Sequence, residues 1–187
     1  MRIIGGQLKG KKILEPKDKL TRPLKDLVKE SIFNIINHSN KLKTNLNEAN
    51  ILDLFSGVGS FGLEALSREA KHVTFVENYS KVLEILKKNI KNLNLNEKCK
   101  IIEKNIIDDF NFQTFNKKFD IIFLDPPFKE KNIISILSSI YNSNILKENG
   151  ILILHRHNKD NDVFPKNLNI LEEKKYGVSK IIFCNYL

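Results

Sequence analysis

The chain has 187 residues, 41% of them apolar, which suits one sizeable core with a modest appendage and argues against a second domain. Its strongest apolar runs, such as Ile121-Ile122-Phe123-Leu124, are far too short to span a bilayer, and the N-terminus carries no hydrophobic signal region, so a cytoplasmic protein is expected. The net charge of +9 is uneven: residues 1–43 hold eleven basic and four acidic side chains against twenty and eighteen in the rest, the pattern of a phosphate-binding arm on a nearly neutral body.

In chain order, Gly5, Gly6 and Gly10 separate Arg2-Ile3-Ile4 from Lys11-Lys12-Ile13-Leu14, which predicts a short basic β-hairpin over residues 2–14. After Pro16 and Pro23, the apolar residues Leu24, Leu27, Val28, Ile32, Ile35 and Ile36 recur with helical period. They predict an amphipathic helix packed on the body. A polar Asn/Lys stretch over 37–50 closes this part, so residues 1–46 are expected as an extension and 47–187 as the main domain.

Residues 51–55 read as a strand that runs into Gly57, Gly59 and Gly62 in G-x-G-x-x-G spacing and then into a helix. The next strand, 73–76, ends at Glu77, twenty residues past Gly57. By spacing alone this is the dinucleotide fingerprint, in which glycines admit a pyrophosphate and an acid holds ribose hydroxyls. S-adenosyl-L-methionine makes a similar demand, with its amino-acid end in place of the pyrophosphate. Asp53, inside the first strand, is well placed for that cofactor's ammonium, whereas a nicotinamide site has no evident use for a negative charge there.

Val82, Leu83, Leu86, Ile90 and Leu93 mark the following helix, and 100–103 and 119–124 read as further strands. Asp125-Pro126-Pro127-Phe128 directly follows the last of these. Two prolines remove two backbone donors and leave their carbonyls to accept, and the residue before proline is forced to be extended. The result is a rigid, acceptor-rich corner beside an aromatic ring, suited to an exocyclic amino group of a nucleobase held by Asp125 and the Pro126 carbonyl and stacked on Phe128.

Beyond it, Ile133, Ile136, Leu137 and Ile140 indicate a helix, 150–155 a strand, and 168–173 and 178–184 a terminal hairpin through Tyr176-Gly177. The alternation predicts a mostly parallel seven-stranded sheet with helices on both faces and the ligand at the carboxyl ends of its strands. Cys99 and Cys184 fall on predicted strands without metal-ligand spacing, so reduced thiols and no zinc or disulfide framework are expected.

These motifs, together with Met1-Arg2-Ile3-Ile4-Gly5-Gly6, Thr21-Arg22-Pro23, Glu30-Ser31-Ile32-Phe33-Asn34 and Leu63-Glu64-Ala65-Leu66-Ser67-Arg68, make the chain resemble the RsmD family of class I methyltransferases almost end to end. The resemblance implies a Rossmann-like fold and S-adenosyl-L-methionine-dependent methylation of guanine N2 in 16S ribosomal RNA. Its substrate would be that RNA, naked or in an assembling small subunit, and the enzyme would act without a metal, as a monomer. It also implies that Asp53, Phe55, Gly57, Gly59 and Glu77 line the cofactor site, that Asn105 approaches the adenine, and that Asp125, Pro126, Pro127 and Phe128 form the catalytic corner. Lys9, Lys11, Lys12 and Arg22 are the candidates for phosphate contact.

Two positions depart from the family pattern. Asn105 stands where relatives commonly carry an aspartate, and His155-Arg156-His157 where they tend to place an acid. The triplet is read as a polar strand end, and no histidine base is needed. The rival readings are a nicotinamide oxidoreductase, a non-catalytic RNA-binding factor and an amino-directed DNA-adenine methyltransferase. An intact Asp125-Pro126-Pro127-Phe128 argues against the second, and the absence of a separate target-recognition domain against the third.

Overall fold

The computed structural model describes residues 1–16, 24–108 and 110–187. Alternation of apolar side chains along each strand builds two cores. Ile51 of β1 (Asn50–Leu54), Phe123 of β4 (Phe119–Leu124) and Ile153 of β5 (Leu146–His157) point to one face, and Leu52, Ile122 and Leu152 to the other. The first face is covered by α1 (Asp26–His38), α2 (Ser60–Ser67) and α3 (Ser80–Asn92). On the second lie α4 (Ile133–Asn142) and the segment around Ile106 and Phe112.

With β2 (His72–Glu77), β3 (Cys99–Glu103), β6 (Leu168–Tyr176) and β7 (Ser179–Tyr186), the strands form one seven-stranded sheet in the order β3-β2-β1-β4-β5-β7-β6. The first five strands pair in parallel, and β7 lies antiparallel between β5 and β6. The strand order reverses between β1 and β4, the switch point where an open α/β sheet leaves a crevice at its carboxyl edge. This is the Rossmann-like class I methyltransferase fold. Among the described residues, no helix is long and apolar enough to cross a membrane.

The N-terminal arm is sewn onto the body. Its hairpin is held by Ile3 N–H to Lys11 O at 2.9 Å and Ile13 N–H to Met1 O at 2.9 Å, and only Arg2 and Lys12 pair as strand residues, so it is less regular than expected. At the carboxyl end of α2, Gln7 N–H donates to Ser67 O at 2.7 Å and Leu8 N–H to Ser67 Oγ at 2.9 Å. Gly6 lies so close there that a Cβ would stand 1.9 Å from the Ser67 carbonyl oxygen. Toward the other end, Asn89 of α3 takes Leu14 N–H on Oδ1 at 2.8 Å, and its Nδ2 donates to Leu14 O and to Val58 O, both at 3.1 Å.

Helix α1 corrects the expected apolar face. Leu27 is 67% exposed, while Phe33 and Lys29 are fully buried. Phe33 stacks on Phe61 with centroids 5.1 Å apart, and Phe61 on Phe123 at 4.0 Å, a column running from the arm into the sheet. The Lys29 ammonium lies 3.5 Å from Glu64, which is itself fully buried, and donates to Arg2 O at 2.9 Å. Glu64 also accepts Ile4 N–H and Arg68 Nε–H, each at 2.8 Å.

Candidate active site

The glycine loop begins with a backbone that an ordinary residue avoids. Phe55 adopts φ +57°, a left-handed conformation that costs a non-glycine residue roughly 1–2 kcal/mol. Ser56 N–H then bonds Val76 O at 3.1 Å, which ties the loop to the neighbouring strand. Gly57 and Gly59 follow with φ +55° and +84°, and Gly59 leads into α2. A Cβ on Gly57 would meet nothing within 4 Å, so the loop borders open space there. Gly62 serves packing instead: a Cβ would come within 2.4 Å of Phe75 Cε1, so helix and sheet are closer than alanine allows.

Two carboxylates, Asp53 and Glu77, bond this loop and its helix, and a third, Asp125, stands at the end of the adjacent strand. Asp53 is 1% exposed, and its Oδ2 accepts Gly62 N–H at 3.0 Å. Burial pushes its pKa well above the ordinary carboxylate range, the Gly62 bond opposes this, and the negative charges of Asp125 and Glu77 push it further up. Its Oδ1 is buried with no hydrogen-bond partner among the described residues, as is Ser56 Oγ. Glu77 accepts Gly57 N–H on Oε2 at 2.8 Å, and Asn78 and Tyr79 N–H on Oε1 at 2.8 and 2.9 Å. A carboxylate offers about four acceptor positions, so three are spent on shaping the loops and one is left on Oε2.

A buried acceptor without a partner, repelled by two other acids, is the environment a cation relieves. S-adenosyl-L-methionine brings an ammonium and a sulfonium to be matched, together with a ribose for Glu77, and the open space at Gly57 provides the close backbone approach it needs. The residues fit this cofactor. A nicotinamide dinucleotide would bring two more negative charges to the same three acids.

Asn105 is engaged locally. Its Oδ1 accepts Ile107 N–H at 3.0 Å and its Nδ2 donates to Asp108, a self-closed turn that leaves Oδ1 one further lone pair.

The Asp-Pro-Pro-Phe corner sits at the end of β4, where Asp125 N–H extends the pairing to Leu54 O at 3.2 Å. Only part of its acceptor surplus is available, because Pro127 O accepts Glu130 N–H at 2.8 Å. The Phe128 ring lies near right angles to the rings of His155 and His157, with centroids 5.6 and 5.2 Å away.

His155-Arg156-His157 is not the polar strand end expected from the sequence. His155 is 4% exposed; its Nδ1 lies 2.8 Å from Asp125 Oδ1 and its Nε2 2.9 Å from Ser179 Oγ. Register explains the contact: Phe123 pairs with Ile153, so two residues on, Asp125 and His155 meet on the same face. Arg156 is 2% exposed, with Nε and Nη2 on the Asp162 carboxylate and Nη2 also 2.8 Å from Glu130 O. The triplet therefore binds the corner through the Asp125 side chain and through the backbone four residues beyond Pro126. A short apolar run ending in polar letters carries no signal for this, because the contact depends on which strand lies next to β5.

The fold thus brings Asp53, Glu77, Asp125 and Phe128 to the carboxyl edge of adjacent strands. The basic candidates do not gather there. Lys9, Lys11 and Lys12 are exposed along the arm, Lys9 beside the hairpin turn over the carboxyl end of α2, and Arg22 lies outside the described residues.

The family model described as conserved hypothetical protein 95 matches residues 1–185. The chain is 34% identical over 179 residues to the ribosomal RNA small subunit methyltransferase D of Haemophilus influenzae, covering 95% of this chain and 90% of that one. Among solved structures, a putative methyltransferase of Escherichia coli superimposes with a TM-score of 0.83 at 26% identity, covering 100% of this chain and 97% of its own. A putative methylase of Haemophilus influenzae does so with a TM-score of 0.78 at 33% identity, covering 100% and 98%. Matched from its basic arm to its last strand, and carrying the acid-lined glycine loop beside an Asp-Pro-Pro-Phe corner, the chain belongs to the ribosomal RNA small subunit methyltransferase D family.

Proposed function

We propose that this chain methylates the exocyclic N2 amine of one guanine in 16S ribosomal RNA, with S-adenosyl-L-methionine as donor. The observation that carries the reading is the placement of Asp125 at the carboxyl end of β4, its N–H on the carbonyl of Leu54 next to Asp53, so that amine acceptor and ammonium acceptor lie on adjacent strand ends. The cofactor, when bound, supplies the electrophilic methyl group. Asp53 Oδ1 takes the ammonium, the remaining lone pair of Glu77 Oε2 takes a ribose hydroxyl, and Asn105 accepts from the adenine amine.

Asp125 and the Pro126 carbonyl each take one N–H of the target amine, which turns the nitrogen lone pair out of the base plane. Phe128 stacks on the base. The surplus proton that methylation would leave on nitrogen goes to Asp125 or to water. The amine edge of a paired guanine is hidden, so the target base is looped out or single-stranded.

Residues 1–46 serve as an RNA-facing extension of the catalytic body, with Lys9, Lys11, Lys12 and Arg22 on phosphates. The reaction takes place in the cytoplasm, where small subunits assemble.

The test is methyl transfer to unmethylated small-subunit particles and to naked 16S RNA, read by nucleoside mass spectrometry. N2-methylguanosine is the expected product, and Asp125→Ala should abolish it. Cofactor binding without any methylated nucleoside on either RNA would overturn the substrate, and full activity in Asp125→Ala would overturn the mechanism.

A further inference from the structure

The buried contact between β4, β5 and β7 at the crevice assigns a task to a side chain that the reaction scheme leaves out. An ionised carboxylate has no proton to give, so the 2.8 Å contact between Asp125 Oδ1 and His155 Nδ1 requires the hydrogen on Nδ1. In the neutral ring, Nε2 is then bare and accepts from the Ser179 hydroxyl at 2.9 Å. The imidazole is thus fixed through both nitrogens, and packing against the Phe128 ring limits its tilt. The terminal torsion of an aspartate is broad and two-fold, so an unrestrained Asp125 would present its oxygens to the crevice interchangeably. With Oδ1 bonded to His155 the torsion is set, and the two oxygens are no longer interchangeable.

We infer that His155 is a positioning residue for methyl transfer. Through the Nδ1–H bond to Oδ1 it fixes the Asp125 carboxylate so that Oδ2 faces the target amine together with the Pro126 carbonyl, and Ser179 holds the far edge of the ring in place. The inference rests on the proposed role of Asp125. It adds the determinant of that role's geometry, supplied in this chain by an imidazole from the neighbouring strand.

His155 would touch neither cofactor nor base, so its loss acts on turnover. In a full-length protein that still melts cooperatively, His155→Ala is expected to lower kcat about a hundredfold, as a misplaced reacting group does, with KM for both substrates within roughly threefold of wild type. His155→Asn, whose amide N–H lies near the position of Nδ1, is expected to recover kcat to within about tenfold of wild type.

The readout independent of turnover is a long-range 1H–15N spectrum of the ring in the wild-type protein, expected to show Nδ1 protonated. A bare Nδ1, or wild-type kcat in folded His155→Ala, overturns the inference. A wild-type protein that binds S-adenosyl-L-methionine yet methylates no guanine would instead sink the functional reading. In that case the ring spectrum would still decide whether His155 donates to Asp125.

Discussion

Glu64→Gln tests how the arm is held, because one carboxylate at zero exposure carries three contacts. It accepts Ile4 N–H and Arg68 Nε–H at 2.8 Å each and faces the buried Lys29 ammonium at 3.5 Å. Glutamine has the same shape but one acceptor oxygen, so its NH2 group must confront either the Ile4 or the Arg68 donor. Among the described residues, Lys29 would keep Arg2 O at 2.9 Å and the half-exposed Asp26 at 3.6 Å. Removing one partner of a buried ion pair costs about 3–5 kcal/mol. For a chain of this size each kcal/mol lowers Tm by about 2–4 °C, so the variant should melt roughly 6–20 °C below wild type. Thermal unfolding by circular dichroism measures the shift, and hydrogen exchange at the Ile4 amide reports whether the arm opens before the body. The double variant Lys29→Met/Glu64→Gln, with neither charge buried, should recover part of the loss. A Glu64→Gln protein with unchanged Tm and unchanged Ile4 protection would refute the account of how the arm is fastened.

Two further outcomes concern the cofactor crevice. Burial raises the Asp53 pKa, so the folded state binds more protons than the unfolded chain between the two pKa values, and this group's contribution to stability falls as pH rises through that window. Asp53→Asn should therefore raise Tm at neutral pH while weakening S-adenosyl-L-methionine binding; in wild type, affinity measured by calorimetry should fall as acid protonates Asp53. Gly57→Ala places a methyl group in the open space of the glycine loop at φ +55°, which costs the fold about 1–2 kcal/mol. It should reduce cofactor affinity at least about tenfold, a larger effect than backbone strain alone would give in binding; titration calorimetry giving an affinity within about twofold of wild type would refute the proposed cradle.

The sheet was legible because its signals are local. Ile133, Ile136, Leu137 and Ile140 all point into the core, and Glu77 and Asp125 end the strands after which they were expected. Helix α1 was harder to read. Its face includes Lys29, because a buried lysine looks polar in sequence until Glu64 is known to face it, while Leu27 conforms to the period and still meets solvent. The His155 contact needed the pairing of β4 with β5, and its Ser179 partner comes from a strand that runs in the opposite direction. Asn105 stands out in the sequence as a departure, but the turn it closes on Ile107 depends on the backbone path after β3.

Asn89 gives the arm a second fastening of a different kind. One amide group satisfies both backbone groups of Leu14 and the carbonyl of Val58 in the glycine loop, and none of these partners is charged. Mobile ions weaken attraction between exposed lysines and phosphates, yet they have little purchase on the neutral dipole of a buried amide that is 1% exposed. Salt strong enough to strip RNA from the arm should therefore leave the arm seated beside the glycine loop.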